Sequence, residues 1–201
     1  VDSAGTLQLT NSDQPGPLTS RGVVEWVGTC TSSGNLGLLT GSTTRVLGTA
    51  SFNAALTCAA GFTNGGTLEL TSTGAATAAT LAVSAGTLTN AAGATLRTLV
   101  SLGGGRSLLA ALDNQGLADF QQTTALNKAG AAHTNSGTFQ MAATKTVTVT
   151  GASFTNQTGG VLGGSGTLTL AGATAFSQPG TLRPGLSPGA LTINGPLPSA
   201  A

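Results

Sequence analysis

The sequence predicts an all-β chain: a single-stranded parallel β-helix (β-solenoid) of about eight coils, each about 20–29 residues long. Three observations predict it. A phrase made of a bulky apolar residue, a hydroxyl residue, an amide, a glycine turn and a leucine recurs along the chain, and a coil that cannot bury its apolar face alone must stack on its neighbours. Between the turns, apolar residues alternate with Thr and Ser at the period of a strand, and no helical period is sustained. The composition is light, with 31 Gly, no Tyr and only 6% charged residues, against about 25% in an average soluble domain. Its 39% hydrophobic content recurs at fixed places, which a disordered linker lacks.

The phrase is clearest between Gly151 and Gly185, as Phe154-Thr155-Asn156-Gln157-Thr158-Gly159-Gly160-Val161-Leu162 and again as Phe176-Ser177-Gln178-Pro179-Gly180-Thr181-Leu182. Taking the amide as anchor gives Asn64, Asn90, Asn114, Asn135, Asn156 and Gln178, spaced by 26, 24, 21, 21 and 22 residues. Two positions earlier stand Phe62, Leu88, Leu112, His133, Phe154 and Phe176. Weaker anchors are Asn11, Asn35 and Asn194. Asn suits such a turn because its short side chain bonds to nearby backbone and tolerates left-handed angles. In a stack it can also bond to the Asn above, so the six anchors are read as a structural turn ladder. Calcium ligation and glycan attachment, the latter at Asn156-Gln157-Thr158, are weaker readings.

Along the chain, Gly5–Thr10 alternates as a short strand before the turn-rich Asn11–Pro17, and Val23–Val27 is a strand holding the only tryptophan, Trp26. That ring is expected to cover an apolar end or fill a wide coil. Cys30 and Cys58 fall five and six residues before Asn35 and Asn64. Equivalent positions in consecutive coils stack at about 4.8 Å, within the roughly 4.4–6.8 Å Cα separation of a disulfide. The spacing therefore predicts a Cys30–Cys58 disulfide and an oxidising, extracellular setting, with two free buried cysteines as the alternative. Asn64-Gly65 is a hairpin signal, but the return of like residues after one coil favours parallel stacking.

Residues 97–125 are the least regular. Arg97, Arg106, Asp113 and Asp119 fall here and form the candidate binding patch, because solenoid sites often use irregular coils. Gly103-Gly104-Gly105-Arg106 lacks the Gly-Lys-Ser/Thr ending of a phosphate loop and is read as a turn. A carbohydrate-active enzyme is the alternative: glycoside hydrolysis needs two carboxylates about 5–9.5 Å apart, and Asp113 and Asp119 flank the turn at Asn114-Gln115-Gly116. His133 stands where Leu112 and Phe154 stand in neighbouring coils, as a core histidine or a general base. A further alternative is an ice-binding solenoid: Thr146 and Thr148 align with Thr167 and Thr169, but counting upstream puts Ala82 in the place of Thr148.

Charge narrows the classes. The formal net charge is +1 and the seven Lys and Arg residues lie far apart in sequence, so nucleic-acid binding is not expected. No run approaches the roughly 18 apolar residues of a membrane helix. Two cysteines and one histidine make a poor zinc set. The expectation is no metal, no cofactor and no enzymatic chemistry, in one domain spanning residues 1–201 that is a fragment of a larger protein.

The tail, residues 179–201, is a Pro/Gly-rich terminal coil. Within it Pro184-Gly185-Leu186-Ser187-Pro188-Gly189-Ala190-Leu191-Thr192-Ile193-Asn194-Gly195 resembles the P-G-x-S-P-G-x-L-T-I-x-G phrase of autotransporter-associated β-strand repeats in bacterial passenger regions. Coils such as Phe62-Thr63-Asn64-Gly65-Gly66-Thr67-Leu68 resemble those of filamentous haemagglutinin-type adhesins. The resemblance implies export to the extracellular space or bacterial cell surface and a right-handed parallel β-helix. It further implies a display or adhesion role toward a host-surface or glycan receptor, beside neighbouring domains of a longer protein.

Overall fold

The computed structural model describes residues 1–101, 103–185 and 189–196. Part of the Pro184–Gly195 phrase, at 186–188, and the tail from 197 onward lie outside the described residues. The chain is a β-solenoid without helix among the described residues, and every strand pairing is parallel. The hairpin alternative is thereby excluded there.

Each coil passes over three faces. The first face stacks nine strands, from Thr6–Thr10 and Val23–Val27 through Thr67–Ser72, Thr95–Thr98 and Leu117–Phe120 to Thr181–Pro184. Thr6, Val23, Thr43, Thr67, Thr95, Leu117, Thr138, Val161 and Thr181 stand opposite one another in successive coils, so coil length runs from 17 residues (Thr6 to Val23) to 28 (Thr67 to Thr95). The second face includes Thr29–Ser32, Thr124–Asn127, Thr146–Thr150, Thr167–Leu170 and Thr192–Asn194. The third includes Leu36–Leu38, Ala132–Asn135, Ser153–Asn156 and Ala175–Ser177. In the three middle coils the two faces are one bent strand, Ala54–Asn64, Ala79–Asn90 and Arg106–Asn114, with register shifts between Ala82 and Thr87 and between Ala85 and Leu88.

The core is an axial column. Leu68, Leu96, Ala118, Phe139 and Leu162 follow one another inside the first face, and Trp26, Val46, Leu70, Thr98, Phe120 and Met141 follow two positions along. The two columns trade volume: where Phe120 gives way to Met141, Ala118 gives way to Phe139, as close packing requires. The Phe120, Phe139, Phe154 and Phe176 rings run in series with centroids 4.7, 5.1 and 6.1 Å apart, in the range of favourable aromatic contacts. Trp26 is fully buried in the interior of a coil rather than lying over an end.

The register overturns the disulfide. Cys30 stands opposite Leu56, and Cys58 opposite Ser32, an offset of two residues, and both cysteines are free and buried. The anchor is the cause: Leu38, not Asn35, stands opposite Asn64, so counting from Asn35 misplaced Cys30. Burial pushes the Cys58 thiol up to about 12, so it stays protonated. The register shift inside Ala79–Asn90 also corrects the Thr column. Thr148 stands in line with Ala125, Ser107, Thr80, Ala55 and Thr29, and Ala82 belongs to the next column, beside Thr57 and Leu109.

Candidate functional site

The outer surface of the first face gathers six of the chain's thirteen formally charged side chains into one column. Gln8, Glu25, Arg45, Glu69, Arg97, Asp119, Gln140, Gly163 and Arg183 stand opposite one another in consecutive coils. Strand alternation points each outward, and parallel register brings residues 17–28 apart in sequence to neighbouring rungs. Glu69, 2% exposed, lies between two guanidiniums: Arg45 Nε donates to its Oε2 at 2.7 Å and Arg97 Nε to its Oε1 at 2.9 Å, with Arg97 Nη2 on the same oxygen. Arg45 Nη1 also reaches Glu25 Oε1 at 3.1 Å, and Gln8 Nε2 donates to Glu25 Oε2 at 3.3 Å. Desolvation pulls the Arg45 guanidinium down, but its bonds to Glu69 and Glu25 outweigh that and raise it. Single exposed ion pairs contribute little, whereas a chain around a buried acid is a network.

Shallow hollows of about 380 Å³ and about 470 Å³ lie along this face. The first is lined by the Glu25–Arg97 run with Leu47 and Leu99, the second by Asp119, Gln121 and Gln140 with Val100. A third, about 270 Å³, meets the second at Gln140 and Gly164 and extends to Arg183.

Of the four residues of the predicted binding patch, the structure brings two together. Arg97 and Asp119 are opposite each other on the first face. Asp113 is on the third face, where Thr134 Oγ1 donates to it at 2.7 Å and Gln115 Nε2 at 2.7 Å. Asp113 and Asp119 therefore stand on different faces, on either side of the Asn114 corner. Arg106 is buried at an inward position beside Ala79 and Thr124. Its Nη1 lies 3.1 Å from the Gly105 carbonyl and 3.3 Å from that of Gly104, and Nη2 bonds Ser101 Oγ. Burial lowers its proton affinity. It holds the glycine turn from inside and faces no surface.

Five of the six turn anchors form a continuous amide ladder. Each Nδ2 donates to the next Oδ1: Asn64 to Asn90 at 2.8 Å, Asn90 to Asn114 at 2.7 Å, Asn114 to Asn135 at 2.6 Å and Asn135 to Asn156 at 2.6 Å. The same amides donate to the carbonyl opening the first-face strand of the next coil, at Thr95, Leu117, Thr138 and Val161. The ladder thus fixes the corner at which the charge column begins in each coil. It ends at Asn156, whose Nδ2 turns to the Gly160 and Thr181 carbonyls, while both amide atoms of Gln178 have no partner. A side chain one methylene longer does not meet the rung below.

His133 sits in the core column between Leu112 and Phe154. The Leu112 amide donates to its Nδ1 at 3.3 Å, so the neutral ring carries its proton on Nε2. That nitrogen faces the Thr150 backbone without completing a hydrogen bond. Burial lowers the histidine pKa below its ordinary 6.5 and outweighs the Thr150 contact. Protonation therefore favours the unfolded chain, whose histidine titrates near 6.5, so this contribution to stability is present above that value and lost as pH falls below it. In urea unfolding at pH 7.5 and 5.5, the stability difference between the two is expected to shrink in His133→Leu, whose side chain matches Leu112 and does not titrate.

The column was missed in the sequence because its members differ in type. A recurrence of opposite charges at one coil length, Glu25, Arg45, Glu69, Arg97 and Asp119, is the signal that could have found it. Comparisons with family models, curated proteins and solved structures return no match for the chain.

Proposed function

We infer that the chain is a rod-like shaft of an exported bacterial surface protein, outside the cell, and that its first face is adhesive toward a glycan or host surface. The observation that carries this reading is axial continuity. The amide ladder and the ion-pair column each link coil to coil along one line, and load or display along an axis uses such links. The likeness of the Pro184–Gly195 phrase to autotransporter-associated repeats supports export and the bacterial surface. Amides, hydroxyls and charges, four of them in ion pairs, stand along the first face among apolar side chains, suited to many weak contacts rather than to long-range steering.

The reading is tested by screening the purified protein on glycan arrays and host-cell surfaces beside a reducing-end assay on the same polysaccharides. Saturable binding without turnover is the expected result. Turnover would replace the reading with an enzymatic one, and silence in both assays would leave a shaft without adhesion.

A further inference from the structure

The charge column changes character halfway along the first face. From Glu25 to Arg97 each charge is matched by its neighbours through ion pairs. From Asp119 onward it is not. Asp119 accepts from Gln121 Nε2 at 2.6 Å and Gln140 Nε2 at 3.1 Å, and it makes no ion pair with Arg97 among the described residues. Beyond Gln140 the next rung is Gly163, which places bare backbone where every other rung from Gln8 to Arg183 has a polar side chain. The rung after that is Arg183, exposed and without an ion pair among the described residues. The gap coincides with the two joined hollows of about 470 and 270 Å³, within the size of small-ligand sites.

Resting on the adhesive reading above, we propose that this gap is an oligosaccharide site for an acidic glycan in which a uronate alternates with a neutral sugar. Three coil steps separate Asp119 from Arg183, roughly 14 Å at the usual strand spacing, the length of a short oligosaccharide. At one end the Arg183 guanidinium offers the planar fork that matches a carboxylate. At the other, the Asp119 carboxylate with the Gln140 amide offers acceptors and a free amide oxygen for sugar hydroxyls. Asp119 also repels a second carboxylate, so the site selects isolated acids over a continuous polyuronate. Val100, 63% exposed, and Pro184 give apolar edges against which the C–H faces of a ring can lie. Gly163 keeps the floor low enough for a ring to reach between Gln140 and Arg183.

The test is titration calorimetry of the intact protein with three probes. They are a hyaluronan tetrasaccharide (glucuronate alternating with N-acetylglucosamine), chitotetraose as its uncharged counterpart, and a polygalacturonate tetramer. The alternating probe is expected to bind best. Arg183→Gln should weaken it about tenfold, the scale of one charge-assisted pair, and bring it level with chitotetraose. Gln140→Ala should weaken both. Circular dichroism and the urea midpoint of each variant confirm that the fold is kept. Equal binding of all three probes by the native protein, or affinity unchanged in Arg183→Gln, overturns the proposal. If Arg183→Gln still binds the glycan array as the native protein does, the adhesive reading survives and this site fails. If the native protein binds no glycan on the array, this site fails, and if it also binds no host-cell surface the adhesive reading itself fails.

Discussion

Replacing Asn114 by Ala is expected to destabilise the chain by about 3 kcal/mol, from a net of about 1 kcal/mol per lost hydrogen bond and 1–3 for a stranded buried partner. Asn114 is the middle rung. It accepts from Asn90 at 2.7 Å and donates to Asn135 at 2.6 Å, both bonds buried, and donates to the Thr138 carbonyl at 2.9 Å in a part-buried bond. Alanine strands the Asn135 oxygen and takes one donor from the Thr138 carbonyl, whereas the Asn90 amide keeps its bond to the Leu117 carbonyl. Urea unfolding followed by circular dichroism measures the loss. Asn156→Ala, at the end of the ladder, removes one interamide bond instead of two and should cost about half as much. Equal losses at both positions would show that the amides act one by one rather than as a ladder. Asn114→Asp sharpens the argument, because a buried carboxylate accepts from Asn90 but meets the Asn135 oxygen with no proton to give. Its variant should be more stable near pH 4.5 than at pH 8, the sign for an acid whose folded pKa is raised.

That ladder was legible in the sequence because an amide bonds best to another amide, so like recurs on like and the Asn spacing exposes the coil. The stacked interior was legible for a similar reason: Phe62, Leu88, Leu112, Phe154 and Phe176 repeat one requirement, to be apolar. The charge column obeys the opposite rule. Glu25, Arg45, Glu69, Arg97 and Asp119 satisfy one another by differing, and a search for recurrence of the same type passes over them. Two further errors have a single geometric origin. Counting residues back from an anchor assumes an unbroken register, but the bent strand Ala79–Asn90 shifts register after Ala82, and the second coil turns on Leu38 rather than on an amide. Those departures displaced Thr148 from its column and brought Cys30 and Cys58 into a false match. Arg106 failed differently: its place beside Ala79 and Thr124 is an inward one, and the sequence gives no sign that a guanidinium would be spent on turn carbonyls.

The other large effect is expected at the same corner from Gly137→Ala, a loss of about 3–5 kcal/mol, at the upper end of what point substitutions cost. The reason is space, not backbone conformation, since Gly137 needs no left-handed angle. A Cβ there would stand 2.1 Å from the Gly116 carbonyl oxygen and 2.6 Å from the Gln115 carbonyl carbon of the coil below. Both are backbone and cannot swing aside. That Gly116 oxygen accepts the Thr138 amide at 2.8 Å, and Gly137 N is bonded to the Asn114 carbonyl at 3.1 Å. Making room means prising two coils apart where the ladder and the first-face strand both begin. Gly66, Gly116 and Gly160 meet backbone oxygens of the preceding coil at 2.5, 2.4 and 2.3 Å, so the corner is tight in coil after coil. Gly16→Ala is the control: nothing lies within 4 Å of its Cβ position, and its unfolding midpoint should stay near that of the native chain. A Gly137→Ala midpoint equal to that of Gly16→Ala would mean that the coils can separate freely at this corner, and the close backbone approach would then not be what sets their spacing.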